Sequence, residues 1–384
     1  MTALAIALVS CAAWCYLLLA RGGFWRARER DEKRDTQLVH RAAWPQVAAV
    51  IPARDEADVI GESVGSLLRQ NYGNELSVIV VDDHSSDATA AEAVRAATAA
   101  GRASRLTVLS APEVPAGWTG KLWAIDHGAR HAGDVDYLLL TDADIRYAPD
   151  TLSRLAARAD RDHLVLISLM ARLNCTSFPE RALIPAFVFF FQMLYPFAWV
   201  NQRARRTAAA AGGCMLVNRR ALAAAGGIAA VRNELIDDCA LARRLKGQGP
   251  IWLGLSERVE SVRRYRSVGD IRRMIARTAY TQLGNSPVLL ACAVVAMSLT
   301  FVAPIALVLA SDGLPRLLGL LASCLMALAF QPMLSLYRVS PLWGLALPAI
   351  AAIYLTFTLD SAYQTARGRG GMWKGRVHRS SARG

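Results

Sequence analysis

From Ala3 to Ala20 the chain carries no charge, and Arg21, Arg26, Arg28, Arg30, Lys33 and Arg34 follow closely. Three further apolar runs stand at about 288–310, 317–336 and 341–359. Each approaches the ~20 residues that a helix needs to cross about 30 Å of hydrocarbon. These runs confine any globular fold to the stretch between them, which holds nearly all the acidic residues. A signal peptide carries its positive charge before the apolar run, not after it. The first run therefore reads as an uncleaved anchor, 1–21, followed by a basic juxtamembrane linker, 22–43. Basic flanks stay on the cytoplasmic side, which puts the N-terminus outside and the domain at 44–285 in the cytoplasm. The expectation is a multi-pass protein of the cell inner membrane, with spans within 287–360 and a basic tail at 361–384. Three C-terminal crossings would leave that tail outside, while Arg367, Arg369, Lys374, Arg376 and Arg379 favour the inside. The sequence leaves its side open.

Formal net charge is +13, and much of it is Arg beside apolar segments. That reads as attraction to an anionic bilayer surface. No nucleic-acid motif is present, so a nucleic-acid partner is not expected. Cys11, Cys15, Cys175, Cys214, Cys239, Cys292 and Cys324 are scattered, without zinc-ligand spacing or a disulfide framework.

The middle of the chain alternates strand and helix patterns. Strands are expected at Gln46–Ile51, Leu76–Val81, Leu106–Leu109, Tyr137–Leu140 and Leu164–Leu169. Helices are expected at Glu56–Gln70, Asp87–Ala100, Lys121–His131 and Pro149–Ala159. This is an α/β pattern, a mostly parallel sheet with helices on both faces. Ligands of such sheets bind beyond the carboxyl ends of the strands. Asp55 and Glu56 follow strand one, Asp82 and Asp83 strand two, Asp142 and Asp144 strand four. Connectivity alone gathers these carboxylates on one rim. The run 182–200 (ALIPAFVFFFQMLYPFAWV) is apolar enough to span, yet a crossing there would divide the acidic motifs between two faces of a membrane. Pro185, Pro196 and its aromatic content fit an interfacial element; a buried core helix is the alternative.

Asp142-Ala143-Asp144 can share a hard divalent ion, Mg²⁺ or Mn²⁺, that also holds a diphosphate. Asp-x-Asp is also common on surface turns, so the strand before it carries the reading. Asp83 can accept hydrogen bonds from a nucleobase or ribose; Asp82 reads as structural and Asp87 as a helix cap. Asp237 and Asp238 open a helix, where acids suit the macrodipole. They are also candidates for a general base, Asp238 first. Lys121, in Gly117-Trp118-Thr119-Gly120-Lys121 before a helix, can hold phosphate. Gly212 and Gly213 either allow close backbone approach to donor or acceptor or make an ordinary turn into a strand.

Ile51-Pro52-Ala53-Arg54-Asp55-Glu56, Val81-Asp82-Asp83-His84-Ser85-Ser86-Asp87, Thr141-Asp142-Ala143-Asp144 and Asp237-Asp238-Cys239-Ala240-Leu241 together resemble the family 2 glycosyltransferases of GT-A fold, over roughly 44–285. The resemblance implies an inverting transfer from a nucleotide-sugar, a UDP-sugar foremost. It implies that Pro52, Ala53, Asp55 and Glu56 line the donor and that Asp83 contacts the base. Asp142 and Asp144 would serve ribose, metal and diphosphate, and Asp238 would be the base. Asp237-Asp238 stands where that family often has Glu-Asp. The Gln-x-x-Arg-Trp of processive members is missing; Asp270-Ile271-Arg272-Arg273-Met274 is the nearest stretch, leaving Arg273 as a phosphate or acceptor contact. It also reads as an amphipathic basic helix. Gly117-Trp118-x-Gly120-Lys121-x-Trp123-Ala124 and the C-terminal apolar block resemble the hopanoid-biosynthesis-associated glycosyltransferases, with ceramide glucosyltransferase as wider kin. That implies a membrane-lipid acceptor. A processive polysaccharide synthase and a non-catalytic membrane scaffold of the same fold are the rival readings.

Overall fold

The computed structural model describes residues 2–31 and 43–370. Lys33, Arg34, Lys374, Arg376 and Arg379, named above as basic flanks, lie outside them. The described chain forms two compact units. One gathers residues 2–28, 175–198 and 264–370; the other gathers 29–31, 43–174 and 199–263.

The second unit is built on β1 (Val47–Ala53), β2 (Leu76–Asp82), β3 (Leu106–Ser110), β4 (Tyr137–Leu140), β5 (Ile145–Tyr147), β6 (Leu166–Arg172), β7 (Met215–Asn218) and β8 (Ile251–Ser261). They form one sheet in the order β3-β2-β1-β4-β7-β6-β8-β5. Every residue of β1 is buried, because the strand has neighbours on both edges and helices on both faces. Val47, Ala49, Ile51 and Ala53 point into a core shared with Ile60, Val64 and Leu155 of the helices Ala57–Leu68 and Thr151–Arg161. Val50 points the other way, under the helix Gly120–His131. That helix comes so close at Gly128 that a Cβ there would lie 2.6 Å from Val50 Cγ1, so only glycine fits. Pro52 is tolerated in a central strand because the pairing of β1 with β4 ends at Val50↔Leu140.

The parallel block β3-β2-β1-β4 agrees with the alternation read from the sequence. Beyond it the sheet is mixed: β7 runs antiparallel to β4 and β6, and β5 antiparallel to β8. β6 and β8 pair in parallel again, so the expectation of a mostly parallel sheet holds, with β7 and β5 as the antiparallel strands. β5 and β8 fall outside the expected strands, and their placement completes the rim. Because β7 is antiparallel to β4, Leu140↔Met215, the Gly212-Gly213 segment enters beside the carboxyl end of β4. Because Ile145 pairs with Ser261, the end of β8 arrives beside Asp144.

Among the described residues the first unit contains four helices long and apolar enough to cross a membrane: Thr2–Leu19, Pro287–Ala310, Gly313–Leu336 and Pro341–Ala366. The last continues past residue 360, so the expected tail begins as helix. A π-helical turn, Ser298–Val302, interrupts the second. Its Ala303 N–H bonds Ser298 O, which releases Leu299 O, and Pro304 has no N–H to give Thr300 O. Ser10 Oγ donates to Leu299 O at 2.6 Å and Trp14 Nε1 to Thr300 O at 2.8 Å. Polar backbone in an apolar surrounding needs such partners.

The run 182–200, of which 182–198 lies in this unit, breaks at Tyr195 and Pro196 rather than forming one helix. Ser177 and Glu180 cap the helix Phe178–Leu194 reciprocally. At its other end Arg21 donates to Met193 O and Leu194 O, both at 3.0 Å. Leu183, Ile184, Pro185, Ala186, Val188 and Phe189 are buried, and Tyr354 OH donates to Leu183 O at 2.8 Å. The helix Val268–Ala276 buries Ile271 and Ile275, with Arg272 paired to Asp360 at 3.3 Å.

Candidate active site

Three groups of side chains occupy the rim of the sheet. The first surrounds Lys121, the second residue of a helix whose N-cap is Thr119. Lys121 Nζ lies 2.9 Å from Asp142 Oδ1 and 3.6 Å from Asp237 Oδ2. Asp237 and Asp238 open the helix Asp237–Lys246, as expected. Asp238 Oδ2 accepts the Gly212 N–H at 3.0 Å and Oδ1 accepts the Cys239 N–H at 2.7 Å. Lys121, Thr141, Asp142, Gly212, Asp237 and Asp238 line one cleft. Burial pushes the Asp238 carboxyl up to about 6, and the Asp237 charge adds to it, against Lys121 and the two backbone amides. Burial alone would lower the Lys121 ammonium, but the carboxylates of Asp142 and Asp237 hold it above its ordinary value. Lys121 therefore stays charged while Asp238 is poised near neutrality.

Gly213 follows Gly212, which lines that cleft. Its carbonyl accepts from Thr141 Oγ1 at 2.8 Å and from Tyr147 OH at 3.2 Å. A Cβ on Gly213 would lie 3.0 Å from Ile145 Cδ1, so glycine lets the two strand ends approach.

In the second group Asp144 and Glu56 were legible in the sequence, and Ser261 and Arg263 were not. Asp144 Oδ2 accepts from Ser261 Oγ at 2.8 Å and from Arg263 Nε at 3.0 Å. Arg263 Nη2 donates to both oxygens of Glu56, at 2.8 and 2.7 Å. Arg263 is one of four arginines between 258 and 266, a density that reads as a membrane-facing flank. The available signal was its position at the end of a strand that the polar Ser256-Glu257-Arg258 stretch conceals.

The third group is a web between the loops after β1 and β2. Asp55 Oδ1 accepts the Ser86 N–H at 2.7 Å, Asp82 Oδ1 accepts the Ser85 N–H at 3.0 Å, and Asp87 Oδ1 accepts the Thr89 N–H at 3.0 Å. The Ser86 amide holds the Asp55 carboxyl below its ordinary range. Asp55 and His84 take left-handed φ values of 51° and 56°, uncommon for residues with side chains. Asp83 is fully buried, with Arg54 Nη1 3.5 Å and His84 Nδ1 3.4 Å from its carboxylate. Pro52 and Ala53 are buried inside β1, where the Ala53 carbonyl accepts the Asp83 N–H at 2.8 Å. Arg273 belongs to the other unit, where it pairs with Asp270 on an exposed surface.

Around Asp142 and Asp144 the first two groups set Glu56, Asp142, Asp144, Asp237 and Asp238 against Lys121 and Arg263. A diphosphate would bring further negative charge to this excess of carboxylates. A hard divalent cation resolves that conflict. Among the described residues no three His, Cys, Asp or Glu side chains are gathered to hold an ion. One carboxylate with phosphate and water oxygens is sufficient for Mg²⁺ or Mn²⁺, and Asp144 Oδ1 accepts no hydrogen bond among the described residues. The donor set fits the ion.

Comparison with known proteins bears on the whole arrangement. The mannosyltransferase PcManGT from Pyrobaculum calidifontis, in complex with GDP-Man and Mn²⁺, superposes with a TM-score of 0.53 at 18% identity, covering 96% of this chain and 98% of that one. The fold is a mixed α/β fold of GT-A type. Residues 48–226 match Glycosyl transferase family 2, so the chain carries a glycosyltransferase domain. An N-acetylglucosaminyltransferase of Rhizobium leguminosarum bv. viciae is 34% identical over 113 residues, 29% of this chain. The match spans a quarter of that relative, 25% of its length.

Proposed function

We propose that the chain is an inverting glycosyltransferase that moves one sugar from a nucleoside-diphosphate sugar to a hydroxyl of a membrane lipid. The observation that carries this reading is the cleft in which Lys121 meets Asp142 and Asp237 beside Asp238. Asp238 has the attributes of a general base: a carboxyl raised to about 6 and two backbone amides that fix its orientation. Each of its oxygens keeps a second lone pair for a proton. The acceptor hydroxyl gives that proton to Asp238 as its oxygen bonds the anomeric carbon. The bond from that carbon to the diphosphate breaks on the opposite side, and the nucleoside diphosphate leaves with the electron pair. Lys121 offsets charge on the departing phosphates, and Asp142 keeps Lys121 aimed. Asp144 would hold Mg²⁺ or Mn²⁺, which supplies Lewis-acid stabilisation of the leaving group when bound. Asp83, Asp55 and Glu56 belong on this reading to the nucleotide side.

The lipid acceptor rests on the four helices apolar enough to span a membrane in the same chain. A UDP-sugar donor, a hopanoid acceptor and a cytoplasmic domain at an inner membrane rest on the resemblance and the charge flanks described above. The test is lipid mass spectrometry. The full chain in detergent is incubated with UDP-sugars or GDP-Man and a membrane lipid extract. A mass increment of one hexose or N-acetylhexosamine on a single lipid class is expected. A long polymer would overturn single transfer, and no sugar-modified lipid with any donor would overturn the lipid acceptor.

A further inference from the structure

The two oxygens of Asp144 have different surroundings. Oδ2 is fixed by Ser261 Oγ and Arg263 Nε, while Oδ1 accepts no hydrogen bond among the described residues. Arg263 is fixed in turn, because its Nη2 meets both oxygens of Glu56, itself 9% exposed. The backbone is tied as well: the Val262 N–H donates to Asp144 O at 2.8 Å, next to the Ile145↔Ser261 pairing. Every element that holds Asp144 thus comes from the last strand or from the loop after the first.

Resting on the reading that Asp144 holds a divalent ion beside the donor diphosphate, we propose that Arg263 and Ser261 are positioning residues that turn Asp144 so that Oδ1 alone meets the ion. Glu56 then anchors Arg263 instead of touching the sugar. Partners behind a ligating carboxylate commonly govern metal affinity by about 10–100-fold. A guanidinium suits the task, since its planar fork serves Asp144 through Nε and Glu56 through Nη2 at once. Single-oxygen ligation also suits small octahedral ions. Ca²⁺, which takes more ligands and accepts both oxygens of a carboxylate, is served less well.

The proposal makes a prediction of definite sign, because charge and orientation oppose each other. Arg263 is a cation near the ion's place, so charge alone makes its removal tighten metal binding. Orientation makes its removal weaken binding. Ser261 separates the two, since Ser261→Ala removes a hydrogen bond without changing charge. The measurement is Mn²⁺ binding by electron paramagnetic resonance on the full chain in detergent, first with Mn²⁺ alone and then with UDP or GDP. Arg263→Gln should raise the Mn²⁺ Kd by about 10-fold or more, and Ser261→Ala by about 10-fold. Glu56→Gln should follow Arg263→Gln in direction with a smaller change. Unchanged or tighter Mn²⁺ binding by Ser261→Ala, at the wild-type melting temperature, overturns the proposal even if Arg263→Gln fails to fold. Wild-type protein that binds no Mn²⁺ with either nucleotide removes the ion itself, and this inference with it. Binding by wild type with indifferent variants removes this inference alone.

Discussion

The apolar helices and the rim of the sheet treat unmatched polar groups in opposite ways. Where the π-helical turn and Pro304 release two carbonyls, Ser10 and Trp14 arrive from the first helix to answer them. At the rim, five carboxylates meet two cations, and Asp144 Oδ1 is left without a hydrogen bond among the described residues. Stability requires the first arrangement, since a buried orphan costs more than a formed bond contributes. Binding and catalysis require the second, since a fully neutralised rim would have nothing to offer a charged ligand. Substitutions at the rim should therefore alter chemistry with little change in unfolding, and substitutions at the answered carbonyls should do the reverse.

The largest effect is expected from Asp238→Asn. It keeps the shape and can still meet the Gly212 and Cys239 amides, but it cannot take a proton. Sugar transfer should fall by about 10²–10⁴-fold, with nucleotide binding and melting temperature retained. Activity near wild type in a radiolabelled-sugar assay would remove Asp238 as the base. Next comes the pH profile. The base works deprotonated, so kcat/KM should fall tenfold per unit below about pH 6. The Asp237 charge raises the Asp238 carboxyl and Lys121 lowers it. Asp237→Asn should thus move the acid limb to lower pH, and Lys121→Met should move it to higher pH while also weakening donor binding. Limbs that move together, or not at all, would uncouple these groups from the base.

How much of this was legible beforehand differs between the two regions for the same physical reason. Strands β1, β2 and β4 are buried on both faces, so they read as apolar runs, and the acids that follow them are conspicuous. Asp83, Asp142 and Asp144 were singled out that way, and Asp238 as an acid that opens a helix. The three-residue β5 is too short for any periodicity, and β8 interrupts its apolar pattern with Ser256-Glu257-Arg258. Without those strands, Ser261 and Arg263 had no strand end to belong to, and Glu56 had no visible partner. The four apolar helices were evident from composition, because any helix that is to cross lipid must be long and apolar. Their polar tethers were not, because Ser10 and Trp14 look ordinary until the π-helical turn shows which carbonyls they serve.

Those tethers give the smallest expected effect and the sharpest contrast with the rim. Trp14→Phe keeps the ring that packs edge-on against Phe301, at 5.5 Å between centroids, and removes the N–H that Thr300 O accepts. Ser10→Ala removes the donor to Leu299 O. Hydrogen bonds between membrane helices contribute about 0.6–2 kcal/mol each, so either variant should lower stability in detergent by that amount. The two donors serve consecutive carbonyls of one helix irregularity, and for contacts so close the effects need not add. The double variant should fall short of the sum, since the first loss lets the turn relax toward regular helix and recover one carbonyl. Transfer kinetics at a temperature well below unfolding should match wild type in all three. A double variant with normal stability but a changed KM would mean that the π-helical turn is kept for binding rather than for folding, and the division between the two regions would fail.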